Sequence, residues 1–339
     1  MSEFRIDQIK SQDATRGPDV AGITTFTGTS GIVMPSGNTA YRGGRGRGVV
    51  AGGYSAPAKN NVMDIFTIAT TGNATTFGNL TTARSGTHSV SSSTRMVICG
   101  GYAPSTTNSM EYVSISSGGN TFDFGDYIKA IGQHAGCSNE IRGIFSGGTE
   151  NPGTIDNITY ITIATKGNAT EFGHLFTGRY NVNSTSSSTR GLISGGYDTA
   201  NRNYIEYVTI STTGNSQDFG DLTDQRGGLA AASNVVRGLF AGGFAPSDGT
   251  NLIDYITIAT LGDAIDFGDL TRRNHYAGTG SSPTRFVYGG GDDHPSGGNY
   301  SNIIDYVQIM STGDAIDFGD LIQGRRHVKG ASNGNGGVG

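Results

Sequence analysis

Tryptophan is absent from this sequence of 339 residues, and cysteine, proline and charged residues are scarce. The two cysteines, Cys99 and Cys137, are too few for a disulfide framework, so we expect both to be small buried hydrophobic side chains. No apolar run approaches the length of a membrane span, and apolar residues nowhere keep a 3.6-residue spacing for long. The net charge of −5 gives no general support to a polyanionic partner. We therefore expect neither membrane insertion nor nucleic-acid binding.

Motifs of common enzyme classes are also missing. The sequence has no G-x-S-x-G, P-loop or H-E-x-x-H motif, and its six histidines are scattered over different segments. Sialidase-type S-x-D-x-G-x-T-W boxes are absent, and no paired carboxylates converge in one loop. Asp292, Asp293 and His294 form the one local cluster typical of metal ligands, and we interpret it as a polar loop. The sequence thus predicts no catalytic residue, no metal, no cofactor and a non-enzymatic protein.

Glycine is abundant instead, with 56 residues, and Ser, Thr and Asn are frequent, which favours short strands joined by tight turns. A segment ending in a double glycine occurs six times: RGVVAGGY at 47–54, RMVICGGY at 95–102, RGIFSGGT at 142–149, RGLISGGY at 190–197, RGLFAGGF at 237–244 and RFVYGGGD at 285–292. The leading arginines are 47 or 48 residues apart: Arg47, Arg95, Arg142, Arg190, Arg237 and Arg285. The chain therefore contains six copies of one structural unit.

Each unit has four segments with the period-two alternation of a half-buried strand. We call them strand A (small residues, as in THSVSSS), strand B (before the double glycine), strand C (as in DYITIAT) and strand D (as in DFGDL). Four antiparallel strands in 47 residues is the size of a propeller blade. Strand A suits the innermost position, because the taper toward the central channel admits only small side chains.

The chain ends favour a closed ring over an open solenoid, which would need distinct capping repeats. Nothing before Arg47 resembles strand A, whereas KGASN at 329–333 aligns with AAASN of the fifth unit. We therefore predict an all-β fold: a six-bladed β-propeller of four-stranded antiparallel blades over 41–339, in which residues 327–335 complete blade one. Such a ring leaves no open sheet edge.

Residues 1–40 lie outside the repeats. They begin with a charged stretch that has no apolar core of a secretory signal, and they include GITTFTGTSGIVMPSGN, which predicts one or two short strands. We interpret the segment as an extended attachment arm; the alternative is disorder.

The loops fall on two faces of the predicted disc. The A–B and C–D turns share one face, where strand B arginines and acids that open strand D both lie. We interpret these as arginine–carboxylate pairs between strands or blades, and the alternative is an anion-binding ring of arginines. Blade 1 has Thr76 at the acid position, so its pair must be missing or replaced. The predicted structural pairs are Arg95 with Asp123, Arg142 with Glu171, Arg190 with Asp218, Arg237 with Asp266, and Arg285 with Asp317.

The B–C and D–A loops share the other face. Acids that open strand C (Asp64, Glu111, Glu206, Asp254, Asp305) lie near basic residues of the D–A loops (Arg84, Lys129, Arg179, Arg226, Arg273, Arg326), and pairing is again the simpler interpretation. Because ligand contacts in rigid β scaffolds concentrate on variable loops, we place any recognition surface here. The candidate binding residues are Arg179, Tyr180, Arg273, His275, Tyr276, Asp292, Asp293, His294, Tyr300 and Arg326; the most exposed are expected to be Asp292, Asp293, His294 and Tyr300.

The stretch GDAIDFGDL occurs twice, at Gly262–Leu270 and Gly313–Leu321. Gly262 and Asp263 suit a tight turn, and the residues from Ala264 onward are extended. Asp263 and Asp269 are then about 20 Å apart at roughly 3.3 Å per residue, too far to share one calcium ion. We therefore interpret the repeat as scaffold.

The double glycine that closes strand B resembles the repeat of kelch-type propellers, in which a tyrosine follows the glycines, as do Tyr54, Tyr102 and Tyr197; the tryptophan of those repeats is absent here. The chain is also similar, over nearly its whole length, to virion proteins of tailed phages that infect marine cyanobacteria. The similarity lies in an MSE-initiated arm, in GITTFTGTSGIVMPSGNTAYRGGRGRGVVAGGY and in repeats of the type DYITIATxGNAxDFGDLT.

The second resemblance implies a non-enzymatic structural protein on the exposed surface of the virion, associated with fibre, tail or capsid. It implies that residues 1–40 bind other virion proteins and that the propeller is displayed for decoration or host contact. The alternative is a lectin-like receptor-binding module that recognises host glycans through the B–C/D–A face.

Overall fold

The computed structural model describes residues 46–150, 152–245, 248–293 and 299–338, and all regular secondary structure in these ranges is β. Six four-stranded antiparallel sheets form a six-bladed β-propeller, which confirms the predicted fold. The predicted arm at 1–40 and the candidate His294 lie outside the described residues.

The strands follow the predicted order A-B-C-D from the axis outward in every blade. Blade 1 consists of Lys329–Ser332, Arg47–Ala51, Val62–Thr67 and Thr75–Asn79; blade 2 of His88–Ser91, Arg95–Cys99, Thr107–Ser114 and Phe122–Ile131; blade 3 of Ala135–Ser138, Arg142–Ser146, Asn157–Thr162 and Thr170–His174. Blade 4 consists of Asn183–Ser186, Arg190–Ser194, Tyr204–Thr209 and Gln217–Asp221; blade 5 of Ala230–Ser233, Arg237–Ala241, Leu252–Thr257 and Ile265–Asp269; blade 6 of Gly278–Ser281, Arg285–Gly289, Ile303–Gln308 and Ile316–Asp320. Short loop strands add Tyr54–Ser55 with Ala58–Lys59, and Asn274–His275 with Asp292–Asp293 and Asn299–Tyr300.

The C-terminal strand closes the ring as predicted. Lys329–Ser332 pairs antiparallel with Arg47–Ala51, with Gly48 opposite Ser332 and Ala51 opposite Lys329. The first blade therefore combines strands from both ends of the propeller sequence, so the ring has no open edge there. Both cysteines are buried and unbridged, as expected.

A ring of serines joins the innermost strands. The fourth residue of strand A is serine in all six blades: Ser332, Ser91, Ser138, Ser186, Ser233 and Ser281. At five boundaries a serine hydroxyl donates to the carbonyl oxygen of the serine in the preceding blade, at 2.6–2.8 Å. The sequence predicted small residues here because of the taper, but the hydroxyl also satisfies a carbonyl that faces the next blade.

This ring gives a matched stability test. Ser186→Ala removes the 2.7 Å hydrogen bond to the Ser138 carbonyl and should lower the free energy of unfolding by about 1 kcal/mol. Ser281→Ala is the control, because its buried hydroxyl has no hydrogen-bond partner among the described residues. It should be neutral or slightly stabilising. Urea unfolding of both variants measures the difference, and equal losses would contradict the role of the hydroxyl bond.

A second ring of contacts joins the blades near the outer edge of the disc, where each C–D turn docks on strand D of the preceding blade. Between blades 5 and 6, Gly313 N–H donates to the Phe267 carbonyl at 2.8 Å and Ala315 N–H donates to the Asp269 carbonyl at 2.7 Å. The Asp314 carboxylate accepts the Asp269 N–H at 3.0 Å. At the other five boundaries the side-chain oxygen of a turn Asn or Asp accepts the equivalent strand D N–H. The GDA of one GDAIDFGDL copy thus binds the FGD of the copy before it, which supports the scaffold interpretation.

Candidate functional site

The strand B arginines on the A–B/C–D face bind backbone, and the predicted ion pairs are wrong. Arg95 Nη1 donates to the carbonyls of Ile163 and Ala164 in the next blade, both at 2.8 Å, while its guanidinium lies 4.5 Å from the Tyr112 ring centre of its own blade. In the described ranges no ion pair joins any of these arginines to a strand D acid. Four other arginines also donate to a carbonyl at the end of strand C in the next blade: Arg142, Arg190, Arg237 and Arg285. Each of these guanidinium groups lies over a tyrosine ring of its own blade: Tyr160, Tyr207, Tyr255 and Tyr306, respectively.

The strand D acids are therefore not the partners of the strand B arginines. This holds for all five predicted acids: Asp123, Glu171, Asp218, Asp266 and Asp317. Glu171 contacts His174 instead, at 3.3 Å. The physical reason is that two carbonyls at the end of the neighbouring strand C need donors, and the long arginine side chain reaches them across the blade boundary. A tyrosine face then covers the guanidinium plane. The sequence located these arginines on the correct face but could not show which acceptor each one reaches.

Blade 1 departs from this pattern. Arg47 donates to the carbonyls of Ile115 and Ser116, but Ile65 replaces the tyrosine and Thr76 replaces the acid. A hydroxyl-rich open groove of about 540 Å³ lies beside Arg47 at this boundary. It is a candidate contact surface on the A–B/C–D face.

Buried ion pairs dominate the B–C/D–A face, close to the axis. Three pairs join an acid and an arginine from the two predicted sets: Arg84 with Glu111 at 2.8 Å, Arg226 with Asp254 at 2.5 Å, and Arg179 with Glu206. The remaining pairs involve residues outside the predicted sets. Asp64 binds Arg325, Asp305 binds Arg272, and Lys129 binds Glu150.

These pairs are structural, because burial removes them from solvent. The side chains of Arg179 and Glu206 are both 0% exposed. The prediction that Arg179 belongs to an exposed recognition surface is therefore wrong. Burial raises the pKa of Asp64 and Asp305, with Arg325 and Arg272 opposing that shift. Removing one partner of a pair would therefore leave a buried charge without a counter-charge, which strongly destabilises the fold.

Blade 3 lacks the pair and shows what can replace it. Ile131 stands where four other D–A loops carry Arg84, Arg179, Arg226 or Arg325 and the remaining one carries Asn274, and Thr159 stands at the acid position of strand C. Strand D of blade 2 continues through Phe122–Ile131 and leads directly to this position. An apolar and a neutral residue thus fill the space of one ion pair.

Aromatic side chains surround the channel mouth on this face, and we call them the aromatic rim: Tyr54, Tyr102, Tyr180, Tyr197, Phe244, Tyr276, Tyr300 and His327. Several follow a double glycine and pair with a D–A loop residue through an isolated bridge, as in Tyr197 with Tyr180 and Phe244 with Gly227. Tyr197 and Phe244 are 36% and 37% exposed. The rim combines apolar ring area with polar hydroxyl and imidazole groups, which suits contact with a partner.

The structure places most predicted binding residues in or beside the rim. Tyr276 stacks on His327 with ring centres 3.9 Å apart, lies 4.5 Å from the His275 ring, and accepts a hydrogen bond from Asn181. Tyr180 lies 5.5 Å from Tyr197, and Tyr300 lies 5.7 Å from Tyr54. Arg326 is 5.4 Å from the Tyr300 ring and 2.5 Å from Asp292.

Asp292 and Asp293 are less exposed than expected. Asp292 is 3% exposed, because it binds Arg326 beneath the rim, and His275 is buried beside it. Asp293 is half-buried in a short loop strand. Arg273 is exposed and binds Asp248 at 2.9 Å. The polar candidates thus support the rim more than they form its outer surface.

A backbone ring closes the channel beneath the rim. Six equivalent residues, Gly86, Gln133, Asn181, Gly228, Tyr276 and His327, have positive φ between 51° and 65°. Five of their N–H groups donate to the carbonyl of the equivalent residue in the preceding blade, at 2.8–3.1 Å. We call this the mouth ring. Tyr and His rarely adopt positive φ, so the surrounding bonds must hold them there.

The C-terminal residues close the channel at its other end. Asn335 Nδ2 donates to Ser91 Oγ at 3.0 Å and to the Ser332 carbonyl at 2.9 Å, which draws the tail across the serine ring. A side chain could not be added at Gly336, because its Cβ would lie 2.4 Å from the Ser186 carbonyl. Val338 is buried. The interior of the propeller is therefore enclosed from both sides by the chain itself.

Comparison with known proteins found no matching family model and no matching curated protein. Within the described residues, no group of three or more His, Cys, Asp or Glu side chains is placed to hold a metal ion. The same residues contain no helix long and apolar enough to cross a membrane.

Proposed function

We propose that this chain is a non-enzymatic structural protein of a phage virion, which displays a rigid propeller and contacts a partner surface through the aromatic rim. The observation that carries the proposal is the rim itself, a set of partly exposed rings held on a mouth that the backbone has closed. A closed mouth presents a surface and leaves ligands outside the channel. The resemblance to virion proteins is the reason for assigning the chain to a phage particle.

The rigidity of the disc suits display on a particle. Blades are joined at three distances from the axis: by serine hydroxyls at the axis, by arginine–carbonyl contacts farther out, and by the docked C–D turns at the outer edge of the disc. Rings mounted on such a scaffold lose little conformational entropy on binding, which raises affinity. Residues 1–40 are the proposed docking segment.

A lectin-like function is the second candidate, and the rim favours it. Tyrosine and phenylalanine faces offer apolar area to the C–H faces of sugar rings, and tyrosine hydroxyls offer hydrogen bonds beside them. Host surface glycan is therefore the proposed partner chemistry for this candidate. A glycan array probed with the full-length chain distinguishes it from pure decoration, since a decoration protein should bind no glycan.

The contact role predicts a loss of binding in rim variants. Tyr197→Ala combined with Phe244→Ala removes two exposed rings and should reduce host adsorption or glycan binding at least about tenfold. Phe122→Ala is the matched control, because Phe122 is equally aromatic, is 63% exposed and lies on the opposite face. Unchanged binding by the double variant would contradict the proposal for the rim.

The docking role is tested separately. A variant without residues 1–40 should fold as a propeller but fail to enter virions, which particle purification and mass spectrometry measure. Incorporation at the level of the full chain would remove the docking segment from the proposal and leave the rim untouched.

A further inference from the structure

Lys329 is a buried lysine without a partner in the centre of the propeller. It is the first residue of the strand that closes the ring, and it is 8% exposed. Among the described residues its ammonium group has neither an ion pair nor a hydrogen bond. A buried charge without a counter-charge is strongly unfavourable, so such a group points to something that compensates it.

The first residue of strand A points toward the channel axis. His88 and Asn183 hold this position in blades 2 and 4, and they form a 3.1 Å hydrogen bond to each other across the intervening blade. The corresponding residues of blades 3, 5 and 6 are Ala135, Ala230 and Gly278. Their small size leaves the other half of the axis to the long side chain of Lys329.

The two polar side chains that share this level of the axis, His88 and Asn183, have hydrogen-bond partners other than Lys329. Ser89 N–H donates to His88 Nδ1 at 2.9 Å, so His88 carries its hydrogen on Nε2 and donates a hydrogen bond to Asn183 Oδ1. Asn183 in turn donates to the Leu229 carbonyl. The polar side chains of His88 and Asn183 are thus already hydrogen-bonded to other groups.

The space beside Lys329 is small, and three of the side chains that line it are basic. Lys329, His134 and His327 line a cavity of about 10 Å³ directly beneath the mouth ring, which is close to the space that one water molecule needs. Both ring nitrogens of His134 lack a hydrogen-bond partner among the described residues, although this side chain is fully buried. A neutral imidazole always has one N–H to donate, whichever tautomer is present.

We propose that this cavity holds one small inorganic anion, of about the size of chloride, bound by the Lys329 ammonium and an N–H of His134. The anion supplies the negative charge that the channel lacks. It is enclosed by the mouth ring above and by the strand A residues below, so it enters when the ring closes. Because Lys329 belongs to the closing strand, the anion stabilises closure of blade 1.

The electrostatics around the site agree with this geometry. Burial lowers the pKa of Lys329 to about 8, which leaves the amine largely protonated at neutral pH. Burial lowers the pKa of His134 to about 3, with further contributions from Lys329 and Arg84, so this imidazole is neutral and does not add a second charge. His88 and His327 also have lowered pKa values for the same main reason. One ammonium group thus faces three neutral imidazoles.

The first test is the dependence of stability on chloride. Thermal unfolding of the full chain is measured from low to high sodium chloride and in parallel with sodium gluconate, whose anion is too large for the cavity. A ligand bound to the folded state alone should raise the melting temperature by roughly 2 °C for each tenfold increase in chloride above its dissociation constant. Gluconate should not reproduce this increase.

Lys329→Met should abolish the difference between chloride and gluconate, because methionine fills the space without charge. Lys166→Met is the control, since Lys166 is an exposed lysine in a C–D turn and should leave the difference unchanged. A chloride effect of the same size in Lys329→Met and in the unmodified chain would overturn the proposal.

The second test does not depend on the stability of a variant. The full chain is refolded in sodium bromide and crystallised, and anomalous scattering locates bromide. The expected result is one peak in contact with Lys329 Nζ and His134. A channel that contains only water, or a peak that persists unchanged in Lys329→Met, would overturn the proposal.

Discussion

Arg179→Ile should lower the free energy of unfolding by about 3–5 kcal/mol. The guanidinium group is fully buried, donates to the Gly195 carbonyl at 2.8 Å and binds Glu206. Its removal leaves the Glu206 carboxylate buried without a counter-charge. Urea unfolding at pH 7 measures the loss, and Arg273→Ile is the control. Arg273 forms an exposed ion pair, which should contribute less than about 1 kcal/mol.

The partner variant follows from blade 3. Arg179→Ile combined with Glu206→Thr copies Ile131 and Thr159, so it removes both charges and should recover about half or more of the stability lost in Arg179→Ile. Full recovery is not expected, because Glu206 also accepts the Phe176 N–H at 3.1 Å. If the double variant loses as much unfolding free energy as the two single variants together, the two charges do not stabilise each other.

Repetition in the sequence made the fold predictable. Six arginine and double-glycine segments at equal spacing define the unit, and the match of KGASN to other strand A segments locates the closing strand. Both are local patterns that each blade must repeat, because every blade packs against an equivalent neighbour. Averaging over six copies removes the ambiguity that a single short strand would have.

Side-chain partners were less predictable, because they depend on distances of a few ångströms between blades. The position of Arg95 on the A–B/C–D face was correct, but its acceptors are the carbonyls of Ile163 and Ala164, which carry no sequence signal. Arg325 and Arg326 are adjacent in sequence and could each have met Asp64; only the direction of the loop decides for Arg325.

The channel site was missed for a similar reason. Lys329 aligns with alanine or glycine in three blades, which suggested a small-residue strand and gave no hint of a charged group at the axis. Its significance depends on the direction of the first strand A residue and on the partners already taken by His88 and Asn183. A sign was present nonetheless, since Lys329 is the one charged residue at that position in the six aligned strands.

Gly268→Ala should destabilise the propeller more than Gly262→Ala, although both glycines belong to the same GDAIDFGDL copy. Their φ values are nearly equal, at 145° and 147°, so alanine is strained by about 1–3 kcal/mol at either position. A Cβ at Gly262 would meet open space, whereas a Cβ at Gly268 would lie 2.5 Å from the Gly313 carbonyl oxygen in the next blade. Backbone cannot move aside as a flexible side chain can, so the clash should add about 1–3 kcal/mol.

The difference between the two variants isolates the docking of one blade on the next. Urea unfolding measures both losses, and we expect Gly268→Ala to lose about 3–5 kcal/mol in total. The clash would also separate Gly313 N–H from the Phe267 carbonyl, so amide hydrogen exchange should accelerate at Gly313 in Gly268→Ala and not in Gly262→Ala. Equal losses would mean that the turn can shift without cost. The F-G pair that all six strand D segments share would then need another explanation than close contact between backbones.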